Sequence, residues 1–209
     1  MADETLVRPQ LASATKIHIT GGPAAGKSTL ARLLGAALDL PVHELDRLAF
    51  AGLDFHEQPH ASRAAAVSEI ATSSRWVTEG VFVGWTEPLF EQADVIIWLD
   101  HVAWGQSAVR TLLRSARGAL REVRKRRGAD RFFRVADYRR NLKQLFHVLT
   151  VSKEYWVPAA GQPRYPASRA RTAEHLVPYR AKVLHISEGR GVEQVLQDLL
   201  ATQRRTVAP

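Results

Sequence analysis

The chain has 209 residues, 45% hydrophobic and 24% charged, enough for one α/β domain around a single core and not obviously for two. It contains no cysteine, which excludes disulfides and thiolate metal sites, and no apolar run approaching the roughly 18 residues of a membrane span. The net charge of +8 is concentrated: residues 110–140 hold eleven arginines and Lys125 against Glu122, Asp130 and Asp137, a net +9 that leaves about −1 for everything else.

Residues 1–14 carry Asp3 and Glu4 without an apolar run, so they are not expected to act as a signal peptide. They are expected to be a flexible leader to one domain spanning 15–205, in a cytoplasmic protein. Residues 16–20 (KIHIT) form a short β-branched run ending at Gly21-Gly22, the pattern of a strand entering a loop. From Lys27 the apolar residues Leu30, Leu33, Leu34, Ala37 and Leu38 repeat with a helical period. Residues 41–45 (PVHEL) predict a brief strand closed by Asp46, and the Ala-rich stretch 59–73 predicts a helix. Two further strands are expected at 75–78 (RWVT) and 94–99 (DVIIWL), the second apolar enough to be buried on both faces.

A long helix is predicted over 104–127, with Val109, Leu112, Leu113, Ala116, Leu120 and Val123 along one face. Gly128-Ala129-Asp130 interrupts it, and a second helix follows over 135–152. The segment 104–152 therefore reads as a helical, lid-bearing part of the domain. Pro158, Gly161, Pro163 and Pro166 mark a loop, residues 182–186 (KVLHI) a last strand, and 192–202 a last helix. Strands alternating with helices imply βαβ units and a mostly parallel sheet. Five strands are expected, in the order 2-3-1-4-5.

Gly21-Gly22-Pro23-Ala24-Ala25-Gly26-Lys27-Ser28 matches G-x-x-x-x-G-K-[ST] without a gap, between a predicted strand and an amphipathic helix. Glycines at the two ends let such a loop wrap a phosphate with its N–H groups pointing inward, and the following helix adds its N-terminal partial positive charge. Lys27 is expected on the β- and γ-phosphates of ATP or a similar triphosphate, Ser28 on Mg²⁺, and Thr29 on the α-phosphate.

Asp46 follows the second strand at the edge where open α/β sheets bind ligands, so it is a candidate for the metal or for the acceptor, as general base. Glu79 follows the third strand. In the expected order 2-3-1-4-5, the neighbour of the loop-bearing strand that carries the metal acid is strand 3, which favours Glu79 over Asp100 as the second metal group beside Ser28. Asp100, ending VIIWLD, is expected to cap the next helix. Arg110, Arg114, Arg117, Arg121 and Arg124 recur every three or four residues and form one helical stripe. Guanidinium forks suit the charge that spreads over a transferring phosphoryl group, which assigns Arg110 and Arg114 to the nucleotide or that group. The later arginines suit a lid surface or nucleic acid equally well. His43, His56, His60, His101, His147, His175 and His185 show no metal spacing. Trp76 and Trp98 are expected in the core, and Trp85 is a candidate to stack on a base.

With these residues in place, the chain resembles the adenylate-kinase-related phosphate-loop proteins known as topology modulation proteins. The resemblance covers about residues 16–200. It rests on GGPAAGKST, HELD at 43–46, WVTEG at 76–80, ADVIIWLD at 93–100, and Arg110 and Arg114 in VRTLLR. It implies a three-layer P-loop NTPase fold of the nucleoside-monophosphate-kinase type, a mobile Arg-bearing lid after the fourth strand, ATP binding and a phosphotransferase reaction. After Glu79-Gly80 the chain departs from adenylate kinases. Where they carry Asp-Gly-Phe-Pro-Arg, this sequence continues Val81-Phe82-Val83-Gly84 without the substrate-gripping arginine, which speaks against AMP as acceptor.

Two functions follow as expectations. In the first, Lys27, Arg110 and Arg114 stabilise a phosphoryl group moving from ATP·Mg²⁺ to a small-molecule or nucleotide acceptor that faces Asp46 and Glu79. In the second, the Arg segment 110–140 contacts DNA or RNA in a nucleotide-dependent switch or polynucleotide-end kinase.

Overall fold

Five strands make one parallel sheet in the computed structural model, which describes residues 11, 13–51, 56–126, 145–157, 167–187, 196 and 197. Strand β1 (Lys16–Gly21) lies in the middle. It is flanked by β5 (Trp76–Glu79) and β6 (Val95–Leu99), with β2 (Val42–Glu44) outside β5 and β7 (Val183–Ile186) outside β6. Counted along the chain, the sheet strands stand in the order 2-3-1-4-5, and every neighbouring pair is parallel. The register sets Ile19 opposite Glu79 on one side and Ile97 on the other. Strands β5 and β6 are buried along their whole length, which is why VIIWL reads as an unbroken apolar run.

Alternating side chains divide the core into two layers. Ile17, Ile19, Val77, Val95, Ile97 and Leu99 meet Leu30, Ala31 and Leu34 of α1 (Lys27–Leu38). On the other face Trp76, Ile96 and Trp98 meet α3 (His60–Thr72) and α4 (Glu87–Gln92) through Val67, Ile70, Leu89 and Phe90. Trp76 and Trp98 are thus core residues. Leu11 and Ala14 also join the first layer, so packing begins inside the expected leader; residues 1–10 lie outside the described part.

Several elements differ from the sequence reading. Strand β2 ends at Glu44, and Asp46 belongs to the first turn of a short helix, α2 (Leu45–Ala49), instead of closing the strand. A two-stranded antiparallel ribbon, β3 (Phe50–Ala51) with β4 (His56–Glu57), follows; two-residue strands carry no readable period. Helix α5 (Trp104–Arg126) matches its expected span. Its packed side, however, carries the buried Ser107 and Thr111, while Val109, Leu112, Leu113 and Leu120 are exposed, Leu120 by 68%. The apolar stripe lies opposite Ser107 and Thr111, so packing that polar side turns the leucines out, while the arginines stay exposed along its edge. Residues 145–153 are helical and form α6, the described end of the expected second helix. Helix α7 (Arg169–His175), capped by the Ser168 hydroxyl accepting from the Arg171 N–H, and a 3-10 turn (Val177–Lys182) precede β7. Of the expected last helix, residues 196 and 197 are described and helical; 127–144 and 158–166 lie outside. Among the described residues no helix is long and apolar enough to cross a membrane.

Candidate functional site

The loop after β1 is shaped by three positive backbone angles. Gly21 has φ 143° and Gly26 φ 97°, and a Cβ on Gly21 would fall 2.3 Å from the Leu99 carbonyl oxygen. Glycine is required there for the close approach as well as the angle. Ala24 takes φ 55°, a left-handed conformation an alanine adopts only when its surroundings impose it. Helix α1 then starts at Gly26 without a side-chain cap. Its first-turn N–H groups are left for a ligand, and the helix dipole favours an anion.

Lys27 folds back into this loop and donates from Nζ to the carbonyls of Gly21 and Gly22, each at 2.9 Å. Burial lowers its pKa, with Glu79 and Asp46 opposing that shift and Arg114 adding to it. Ser28 donates its hydroxyl to Glu79 Oε1 at 2.9 Å. Glu79 is only 4% exposed at the end of β5. Burial raises its pKa despite Lys27 and the Ser28 hydrogen bond. Burial likewise raises that of Asp46, which faces the charges of Lys27, Glu44 and Arg114. The sheet order thus brings Lys27, Ser28, Asp46 and Glu79 together from three separate parts of the sequence.

Helix α5 reaches the same loop. Ser107 Oγ donates to the Pro23 carbonyl at 2.8 Å and Arg110 Nη1 to the Ala24 carbonyl at 3.2 Å. Arg114, one turn on, is near enough to bear on both Lys27 and Asp46. Arg110, Arg114, Arg117 and Arg121 are all exposed. Thr29 is exposed in the first turn of α1.

A second contact with the loop was not legible in the sequence. The Tyr155 ring lies over Gly22, where a Cβ would come within 2.8 Å of its Cε1 and 3.1 Å of Trp156 Cζ2. Trp156 donates from Nε1 to the Val102 carbonyl at 3.0 Å and tilts against Trp104. Nothing in the spacing of SKEYW marks these rings for the loop, because the contact crosses more than a hundred residues.

Asp100 has a different role from the cap expected of it. Both its oxygens accept from Arg169, at 2.6 and 2.7 Å, and one also meets His185 Nε2 at 3.1 Å. Burial pushes its pKa up, but the hydrogen bonds from His185 and Arg169 outweigh that, and it lies below the ordinary carboxylate range. The carboxylate is committed to joining β6, β7 and α7. Trp85 packs against Phe82, ring centres 5.1 Å apart, beneath the Arg63 guanidinium.

The oxygen donors fit Mg²⁺. This ion keeps several waters and is held through one or two carboxylates plus phosphate oxygens, and the Ser28–Glu79 pair offers a hydroxyl and a carboxylate beside the phosphate loop. Among the described residues no group of three or more His, Cys, Asp or Glu forms a self-sufficient cage.

No family model matches the chain, and no curated protein matches it in sequence. Solved structures do match. A shikimate kinase from Acinetobacter baumannii, in complex with shikimate, is 13% identical over 97% of this chain and 99% of its own, with a TM-score of 0.51. A gluconokinase from Sinorhizobium meliloti 1021 is 15% identical over 91% of this chain and 92% of its own, at TM-score 0.43. The YorR protein from Bacillus subtilis, in complex with phosphorylated GDP, is 10% identical over 93% and 100%, at 0.44. The first likeness shows that the chain has the three-layer α/β fold of P-loop kinases.

Proposed function

We propose that this protein is a Mg²⁺-dependent phosphotransferase that moves the γ-phosphoryl group of ATP, or a similar triphosphate, to a small-molecule or nucleotide acceptor. The observation that carries the reading is the Ser28–Glu79 hydrogen bond. It holds a hydroxyl and a buried carboxylate together at the start of the helix whose lysine fills the phosphate loop. With nucleotide bound, Lys27 would exchange the Gly21 and Gly22 carbonyls for phosphate oxygens, and Gly22–Thr29 would surround the phosphates. Ser28 and Glu79 would hold the metal, which screens charge between the phosphates.

In the reaction an acceptor oxygen bonds to the γ-phosphorus as the bond to the bridging oxygen breaks, and the nucleoside diphosphate leaves with that electron pair. Arg110 and Arg114 lie where they would meet the charge on the moving group. If the acceptor is a hydroxyl, Asp46 would take its proton, and a carboxylate made more basic by lost solvation suits that better than an ordinary one. The fold shared with a shikimate kinase is in keeping with a small acceptor. A single domain over 15–205 and a lid role for 104–152 belong to this reading. Nothing in the described part favours the nucleic-acid alternative, since Arg110 and Arg114 bear on the phosphate loop.

The test is incubation with γ-labelled ATP and Mg²⁺ against nucleosides, nucleotides, metabolites and short DNA or RNA ends, with Lys27→Ala alongside. Label should pass to one acceptor, and the mutant should lose about a hundredfold or more in kcat. Label that reaches only water or nothing, while ATP still binds, overturns the reading.

A further inference from the structure

The carboxylates, the lysine and the arginines of α5 account for the donor side, but one buried cation near the other side has no assigned task. Arg63, in the first turn of α3, has a side chain only 14% exposed, and its Nε is buried without a hydrogen-bond partner among the described residues. Its ion pair with Glu57 is loose: Nη2 lies 3.7 Å from Oε2, and the Glu57 side chain is 68% exposed. The guanidinium sits 5.3 Å from the Trp85 ring centre, which orients its plane without using its N–H groups. A buried guanidinium N–H left unpaired is unfavourable in a folded protein, and a ligand that satisfies it recovers that cost.

Beside Trp85 the backbone is open. Trp85 follows Gly84, which takes φ 95° and would have no heavy atom within 4 Å of an added Cβ. From Trp85 an aromatic row runs to Phe82 and on to Phe50, at ring-centre spacings of 5.1 and 6.2 Å, and Phe50 directly follows the helix that carries Asp46. The segment from Gly80 to Trp85 is also where the sequence lacks the arginine that would grip an acceptor. Here α3 brings a guanidinium to that segment instead.

Resting on the phosphotransferase reading, we propose that Arg63 and Trp85 form the acceptor's anchoring site. Its ligand is an oxyanion, a carboxylate or a phosphate, on a molecule lying against the half-buried rings of Trp85 and Phe50, with Phe82 buried between them, and with its reacting oxygen toward Asp46. The planar fork of Arg63 takes the oxyanion, and Glu57 holds the cation until the acceptor's charge displaces it.

The experiment uses full-length protein labelled with 5-fluorotryptophan, the Trp85 resonance being identified by its loss in Trp85→Phe. Inorganic phosphate and, separately, malonate are titrated at constant ionic strength in a Lys27→Ala background, which removes the phosphate loop as a competing anion site. The Trp85 signal should shift saturably with at least one anion. Affinity should fall about fivefold or more in Arg63→Gln and rise about twofold in Glu57→Gln, which leaves Arg63 in place. Response to phosphate alone identifies a phosphorylated acceptor, and response to malonate alone a carboxylic acid. A Trp85 signal that neither anion moves, that moves equally in Arg63→Gln, or that gains nothing from Glu57→Gln overturns the proposal. The labelled-ATP assay is independent of this readout: an anion response without phosphoryl transfer removes the reaction and leaves the site standing.

Discussion

Single groups in this protein work against the stability of the fold around them. Glu79 is buried beside Asp46, and lost solvation raises the pKa of both carboxyls. An ionised carboxylate whose folded pKa is raised costs stability at neutral pH, and the cost vanishes once pH falls below the unfolded value of about 4. Glu79→Gln should therefore raise the urea midpoint at pH 7, with the gain closing toward pH 4, while Mg²⁺-dependent turnover is lost. His18 works in the opposite pH range. It lies fully buried in β1, its Nδ1 2.8 Å from Thr78 Oγ1 and its ring edge-on to Phe90. Burial first, then the charge of His175, bring its pKa down to about 3. Between about pH 6.5 and 3 the unfolded chain takes up a proton that the folded one refuses, so acid destabilises by up to about 1.4 kcal/mol per pH unit. His18→Leu should flatten that limb of the stability–pH curve, at a cost of about 1 kcal/mol near pH 8 for the Thr78 hydrogen bond.

Among the elements, the phosphate loop is gripped from two sides: by α5 through Ser107 and Arg110, and by the Tyr155–Trp156 rings after α6. Gly22→Ala tests the second grip, because its methyl group would enter the Tyr155 ring. The substitution should destabilise by about 1–3 kcal/mol and weaken ATP binding, read by thermal unfolding and by calorimetry. The loop itself was legible in the sequence, since both the spacing of its glycines and the strand and helix around it are local. Strand lengths, the α1 period and the span of α5 were legible for the same reason. The direction of α5 was not: its leucine stripe predicts the packed side, whereas the side of Ser107 and Thr111 is covered, with Arg110 at its edge reaching the loop. Periodicity shows that a helix has two faces, and only the tertiary partner decides which one is covered. Helices α4 and α7, of six and seven residues, are too short to show a period.

Across the whole molecule, the Asp100–Arg169–His185 cluster ties α7 to the β6–β7 edge. Its carboxylate has a depressed pKa, so the stabilisation is complete above about pH 4 and is lost as pH falls through the folded value. Asp100→Asn should cost about 1–2 kcal/mol at pH 7, with the difference from wild type fading on acidification, because Arg169 is largely exposed and water screens the pair. This carboxylate ends the strand that most resembles a metal-binding one in sequence. Sheet order does not separate the two, since β5 and β6 both flank β1; the contacts do, Ser28 donating to Glu79 while Asp100 is taken up by Arg169 and His185. The contacts of Arg63 and Tyr155 were hidden for a related reason: each spans distant parts of the chain.

The central position of β1 also bears on how the protein comes into being. A parallel strand cannot pair with what immediately follows it, and the neighbours of Ile19 are Glu79 and Ile97. During synthesis the strand that leads into the phosphate loop emerges before either neighbour exists. The loop is thus translated well before the strands that hold β1 in place, and a nascent chain halted before β6 should bind no nucleotide although every residue of the loop is already made.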